Sequence, residues 1–78
     1  MMYDVHIPKV GMSTVEVDVM AVKVVPGQAV RANDTIVEIS ADKVDFEVEA
    51  GIDGTVVEVL VSEGDLAVVG QVVARIQP

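Results

Sequence analysis

The sequence predicts an all-β domain, a sandwich or flattened barrel of short antiparallel strands. Short stretches of Val and Ile alternate with charged residues, a period of two rather than the 3.6 of a helix. Turn residues interrupt them at close intervals, as Pro26-Gly27, Asn33-Asp34, Asp53-Gly54, Glu63-Gly64-Asp65 and Gly70-Gln71. Composition points the same way. Hydrophobic residues are 51% of the chain but aromatics only 3%, and about a quarter of all residues are Val. The core is therefore aliphatic and β-branched, which suits a pleated, half-buried backbone. No segment predicts a helix.

The strands follow in order. Val5-His6-Ile7 alternates and opens the chain. Val15, Val17 and Val19 form one face, with Glu16, Asp18 and Met20 on the other. Ile36 to Ile39 reads as a strand, and so does Val44 to Val48, where Val44, Phe46 and Val48 alternate with Asp45, Glu47 and Glu49. Thr55, Val57, Val59 and Val61 make a face opposite Glu58 and Ser62. Val72, Ala74 and Ile76 close the chain with Arg75 and Gln77 outward. Between Ile39 and Val44, the pair Asp42-Lys43 falls on a hairpin tip.

Two stretches of the chain resemble each other. Residues 22–30 can be laid over residues 59–67, and the same offset places Thr35 to Ile39 on Val72 to Ile76, with Asn33 on Gly70. Strand, glycine turn, short apolar step, turn and strand thus occur twice. Two such copies predict two similar sheets packed face to face about a pseudo-twofold axis.

With 78 residues and no compositional break, the chain predicts a single domain spanning 1–78. Five basic residues stand against thirteen acidic ones, for a net charge of -8. That field repels polyanions, so neither nucleic acid nor an anionic membrane is an expected partner. No run of about 18 apolar residues is present to span a bilayer, and the first residues do not read as a secretory signal. The expected location is cytoplasmic, or the mitochondrial matrix in a eukaryote, and the isolated domain is expected to be a monomer. The end at Ile76-Gln77-Pro78 suits a domain that precedes a flexible linker.

Independent catalysis is not expected. The chain has no Cys and one His, His6, which reads as a surface or hydrogen-bonded strand residue rather than a base. One His without Cys does not predict a zinc site, and the carboxylates lack calcium-loop spacing. No glycine-rich loop leads into a helix to cradle phosphate. What stands out is Lys43, the only basic residue between Arg31 and Arg75, set among Asp34, Glu38, Asp42, Asp45, Glu47, Glu49 and Asp53. Its amine at the tip of a rigid hairpin is suited to hold a long prosthetic group, with the scaffold supplying placement and the group supplying chemistry.

Asp42-Lys43-Val44 at this hairpin, with Gly54 eleven residues on and Glu63-Gly64-Asp65 beyond, resembles the lipoyl domain of dihydrolipoamide acyltransferases. These are the E2 components of 2-oxo acid dehydrogenase complexes. Ile7-Pro8-Lys9-Val10-Gly11-Met12 is similar to the family's opening strand and loop, Val25 to Val30 to its first glycine turn, and Ile36 to Ile39 to the strand that feeds the lysine. The resemblance covers essentially the whole chain. It implies a flattened barrel of two four-stranded antiparallel sheets with the modified lysine on a hairpin tip. It further implies lipoic acid in amide linkage to Lys43, working as a swinging arm. A thiamine-diphosphate-dependent decarboxylase (E1) would reductively acylate the arm, the acyltransferase core (E2) would pass the acyl group to coenzyme A, and dihydrolipoamide dehydrogenase (E3) would reoxidise the dithiol. A lipoate ligase or lipoyl transferase would recognise Asp42 and Val44, and the loop from Lys9 to Val15 would contribute to decarboxylase recognition. By this resemblance the chain is a carrier, not an enzyme in itself.

Three positions depart from the family pattern. Ser40 stands where an acidic residue is common, Ala41 where Thr or Ser is frequent, and Glu16-Val17 where the family usually has Glu-Gly. The alternative is a biotinyl carboxyl-carrier domain, which shares the fold but typically flanks its lysine with Met on both sides. Here Asp42 and Val44 occupy those places. A second alternative is an unmodified structural module in which Lys43 is an ordinary surface residue.

Overall fold

Alternating apolar side chains bury one face of each strand. In the computed structural model, which describes residues 1–9, 15–41 and 44–78, eight such strands form two sheets. They are β1 (Tyr3–His6), β2 (Glu16–Val22), β3 (Ala29–Val30), β4 (Thr35–Ala41), β5 (Val44–Glu49), β6 (Gly54–Val59), β7 (Leu66–Val68) and β8 (Val72–Gln77). One sheet runs in the order β1-β8-β6-β3 and the other β5-β4-β2-β7, with every pairing antiparallel. The shape is a flattened sandwich of 32 × 21 × 17 Å rather than a closed barrel. Its core is aliphatic, with Val17, Val19, Ile36, Ile39, Val56, Val73 and Ile76 among its buried side chains.

The internal repeat extends to the level of single hydrogen bonds. A shift of 37 residues carries β2, β3 and β4 onto β6, β7 and β8, and the order of one sheet becomes that of the other once β1 is matched with β5. Gly27 N donates to Val56 O at 2.7 Å, and its counterpart Gly64 N donates to Val19 O at 2.8 Å. Lys23 N to Ile36 O is matched by Leu60 N to Val73 O, both 2.8 Å. Side chains follow suit. Gln28 Oε1 caps Val25 N as Asp65 Oδ2 caps Ser62 N, and Asp34 Oδ2 caps Arg31 N as Gln71 Oε1 caps Val68 N. Neither copy builds a sheet alone. Each gives two long strands to one sheet and sends its short strand across to the other, β3 onto β6 and β7 onto β2, so the copies interlock.

Gly27 and Gly64 adopt φ of 94° and 92° at equivalent turns, a region that L side chains disfavour. Open space surrounds the position of an added Cβ at Gly64, so replacement there costs backbone strain alone. Gly64→Ala is expected to lower stability by about 1–2 kcal/mol. Urea unfolding checks it; an unchanged midpoint would mean that the turn relaxes to another geometry.

Four bulges correct the simple alternation. In β6 the register shifts between Val56 and Glu58, so Val56 is fully buried and Val57 is the extra, exposed residue. The expected inward face through Thr55 and Val57 is therefore wrong up to the bulge, and a period of two resumes with Val59 and Val61. The equivalent shift in β2, between Val19 and Ala21, leaves Met20 outside. Matching bulges at Ile36 and Val73 let β4 and β8 bury consecutive pairs, Ile36-Val37 and Val73-Ala74, while Val72 is only half-buried. Two more expectations need correction. Val15 precedes β2 and is 67% exposed. Gly54 belongs to β6, and the turn before it is made by Gly51 to Asp53, with Gly51 at φ 81°.

Candidate functional site

The β4–β5 hairpin is the most extensively paired unit near the candidate lysine. Its ladder runs Thr35↔Glu49, Val37↔Val48, Glu38↔Glu47, Ile39↔Phe46, Ser40↔Asp45 and Ala41↔Val44. β4 is held on its other edge by β2, and Ile39 and Ala41 are buried at 0% and 4% exposure. Val44 is 51% exposed. Its alternation with Phe46 and Val48 holds, but burial fades along β5 from Val48 through a half-buried Phe46 to an exposed Val44. The last rung, Ala41↔Val44, leaves a connection of two residues, Asp42 and Lys43, both outside the described residues.

The ladder Asp18↔Ser40 sets β2 beside β4 so that β2 begins where β4 finishes. Val15 thus stands at the hairpin's end of the sheet, where its carbonyl accepts a hydrogen bond from Val69 N at 2.9 Å. Lys9 and Val15 are exposed, and the loop between them, residues 10–14, lies outside the described residues. His6 is engaged with the backbone after β7. Its Nδ1 lies 2.9 Å from Gly70 O, which accounts for it as a hydrogen-bonded strand residue.

The outer face beside the hairpin holds what the sequence pattern did not reveal. Met20, Glu38, Asp45 and Glu47 ring a cavity of about 340 Å³ that Ile39 and Phe46 also line. Glu38 and Glu47 are directly opposite each other across the ladder, a like-charge pairing that disfavours the fold. The register that opposes them was implicit in a two-residue hairpin, but the bulge that places Met20 beside them was not.

A covalently tethered group needs an attachment point that is accessible and mechanically supported, and the described flanks provide both. Val44 is open to an enzyme, while Ala41 and Ile39 anchor the strand below it. The family described as "Biotin-requiring enzyme", the biotin/lipoyl family, matches residues 3–76, and the chain belongs to it. It is a carrier domain of the kind that bears a covalently attached lipoyl or biotinyl group. Among its relatives is the dihydrolipoyllysine-residue acetyltransferase component of the pyruvate dehydrogenase complex of Corynebacterium glutamicum. It is 38% identical over 73 residues, which are 94% of this chain and 11% of that protein. The component of the same name from Staphylococcus epidermidis is 33% identical over 76 residues, 97% of this chain and 18% of that protein. The solution structure of the lipoyl domain of the 2-oxoglutarate dehydrogenase complex of Azotobacter vinelandii superposes with a TM-score of 0.77 at 32% identity. That match covers 96% of this chain and 95% of the other. The chain therefore spans less than a fifth of the length of these acetyltransferase relatives, but nearly all of a solved lipoyl domain.

Proposed function

We propose that Lys43 carries lipoic acid in amide linkage and that the domain works as a swinging-arm carrier in a 2-oxo acid dehydrogenase complex. The observation that carries this reading is the Ala41↔Val44 rung, which closes a supported hairpin and leaves Lys43 within a two-residue connection. Lipoyl is favoured over biotinyl because Asp42 and Val44, rather than two methionines, flank the lysine. The relatives' names, which specify dihydrolipoyllysine, agree with it.

When attached, the lipoyl group supplies a reducible disulfide and a thiol that holds an acyl group as a thioester. The chain's own residues do the rest. Ile39 and Ala41 fix the base of the arm, and exposed Val44, with Asp42, marks the lysine for a lipoate ligase or lipoyl transferase. Acyl groups would come from a thiamine-diphosphate-dependent decarboxylase (E1) and leave to coenzyme A on the acyltransferase core (E2), with dihydrolipoamide dehydrogenase (E3) restoring the disulfide. Tethering makes each transfer effectively intramolecular, which multiplies local concentration without new contacts. Such a complex places the domain in the cytoplasm, or the mitochondrial matrix of a eukaryote.

The lipoylated domain is expected to accept acyl groups from one of the pyruvate, 2-oxoglutarate or branched-chain decarboxylases with kcat/KM at least about tenfold above free lipoamide, by the gain a recognised, tethered substrate brings. Reductive acylation assays with the three decarboxylases in parallel check this. A domain no better than free lipoamide with all three would contradict the carrier assignment.

A further inference from the structure

Of the four strands at the sheet edges, β5 is the longest. It has six residues, against four in β1, three in β7 and two in β3. The two shortest edges are also closed at their ends. Asp34 Oδ2 accepts from Arg31 N directly after β3, and Gln71 Oε1 accepts from Val68 N at the end of β7. Among the described residues, no turn or loop hydrogen bond involves the main chain of β5. The bulge beside it adds Ile36 to β4 and leaves β5 regular. Alternate N–H and C=O groups of β5 therefore face away from β4 along about 20 Å of extended chain. An edge of that length is a template for another strand.

What β5 has in place of a cap is charge. Asp45, Glu47 and Glu49 alternate along it and are exposed, while Val44, Phe46 and Val48 take the positions on the core side. The edge that matches β5 in length and pattern is β5 of a second copy. In the antiparallel pairing that continues the sheet, core-side residues stay on one face and solvent-side residues on the other. Any register that overlaps the charged positions then sets a carboxylate directly opposite a carboxylate, which is destabilising. The pseudo-equivalent edge strand, β1, is treated differently. Its Asp4 is held by Arg75 Nε at 3.3 Å, whereas the ladder partner of Glu47 is another carboxylate, Glu38. Among the described residues no ion pair reaches Asp45, Glu47 or Glu49, so the charge on this edge is kept.

We propose that Asp45, Glu47 and Glu49 keep β5 from pairing with β5 of a second copy, and so keep the hairpin that holds Lys43 free for the enzymes that act on it. In the dimer that this row prevents, the start of each β5, next to Lys43, lies against the end of its partner. The protected edge follows from strand length, pattern and charge; its use to a carrier rests on the proposed attachment at Lys43.

Sedimentation equilibrium tests the edge. The Asp45→Asn/Glu47→Gln/Glu49→Gln variant, which keeps side-chain shape, should rise from 8.2 kDa toward twice that mass at millimolar concentration, where the parent stays monomeric. Glu16→Gln/Asp18→Asn/Glu63→Gln removes the same charge away from β5 and should stay monomeric. In the dimer, hydrogen exchange should slow at amides of β5 and not at those of β1, β3 or β7. A folded β5 variant that remains monomeric, a control that dimerises equally, or protection at another edge overturns the proposal. If the amide variant fails to fold by circular dichroism, Asp45→Thr/Glu47→Thr/Glu49→Thr, with residues suited to an edge strand, is held to the same outcomes. Lipoate ligase kinetics test the use. The rate per domain of the β5 variant should fall at least about threefold over the concentrations at which it dimerises, because only the monomeric fraction is competent. A rate that ignores dimerisation overturns the link to Lys43. A parent domain that is never lipoylated removes the carrier reading, while sedimentation still decides the edge.

Discussion

Gly54→Val is expected to unfold the domain or bring it close to unfolding. Gly54 opens β6 on the central pair of its sheet, against the end of β8. A Cβ there would lie 2.5 Å from the backbone oxygen of Gln77 and 2.7 Å from Ile76 Cγ2. The first neighbour is main chain, held by the rung Thr55↔Gln77, and the second belongs to a fully buried side chain. Neither yields without parting the strands. Overpacking of this kind costs about 1–3 kcal/mol even where side chains can give, so about 3 kcal/mol or more is expected here. A domain of this size has only about 4–12 kcal/mol to lose at typical per-residue stability. The expected fall in Tm is about 12–24 °C, readable by circular dichroism. A Tm within about 3 °C of the parent would show that β6 and β8 are not packed as described.

Lys43→Gln is expected to abolish attachment of the prosthetic group and leave stability within about 0.5 kcal/mol of the parent, because lysine is a residue type that is mostly solvent-exposed and exposed substitutions change little. The contrast between the two variants separates scaffold from site. Gly54 matters because of what surrounds it; Lys43 matters because of what is joined to it. Intact mass and thermal melts of the same sample read both effects. A large loss of stability in Lys43→Gln would make the lysine structural.

The fold was largely legible because alternation and turn chemistry are local signals. Val17 and Val19 in β2, and Ala74 and Ile76 in β8, are buried as their spacing predicts. The duplicated turns at Gly27 and Gly64 carried the repeat, and their equivalent φ angles express it. What was illegible depends on partners distant in sequence. A bulge adds one residue to one strand and is invisible until the facing strand is known, so Val56 and Val57 exchanged roles. Gly54 looked like turn punctuation beside Asp53, yet it is glycine because β8, more than twenty residues away, leaves no room for a side chain. Interlocking of the copies was hidden for the same reason, since β3 and β7 are too short to signal by pattern alone. At the candidate site the two strands of the hairpin were legible, but β4 runs two residues past the expected end at Ile39, to Ala41, which pairs with Val44. The groove beside Met20 was not legible, because it requires both the bulge and the register across three strands.

The central claim is tested most directly by the intact mass of the domain after incubation with lipoate, ATP and a lipoate ligase, beside a parallel reaction with biotin and a biotin ligase. The account predicts a single lipoyl-sized increase with lipoate, absent in Lys43→Gln, and no increase with biotin. A biotinyl increase without a lipoyl one would make the domain a carboxyl carrier, and a lipoyl increase that persists in Lys43→Gln would place the arm on another residue.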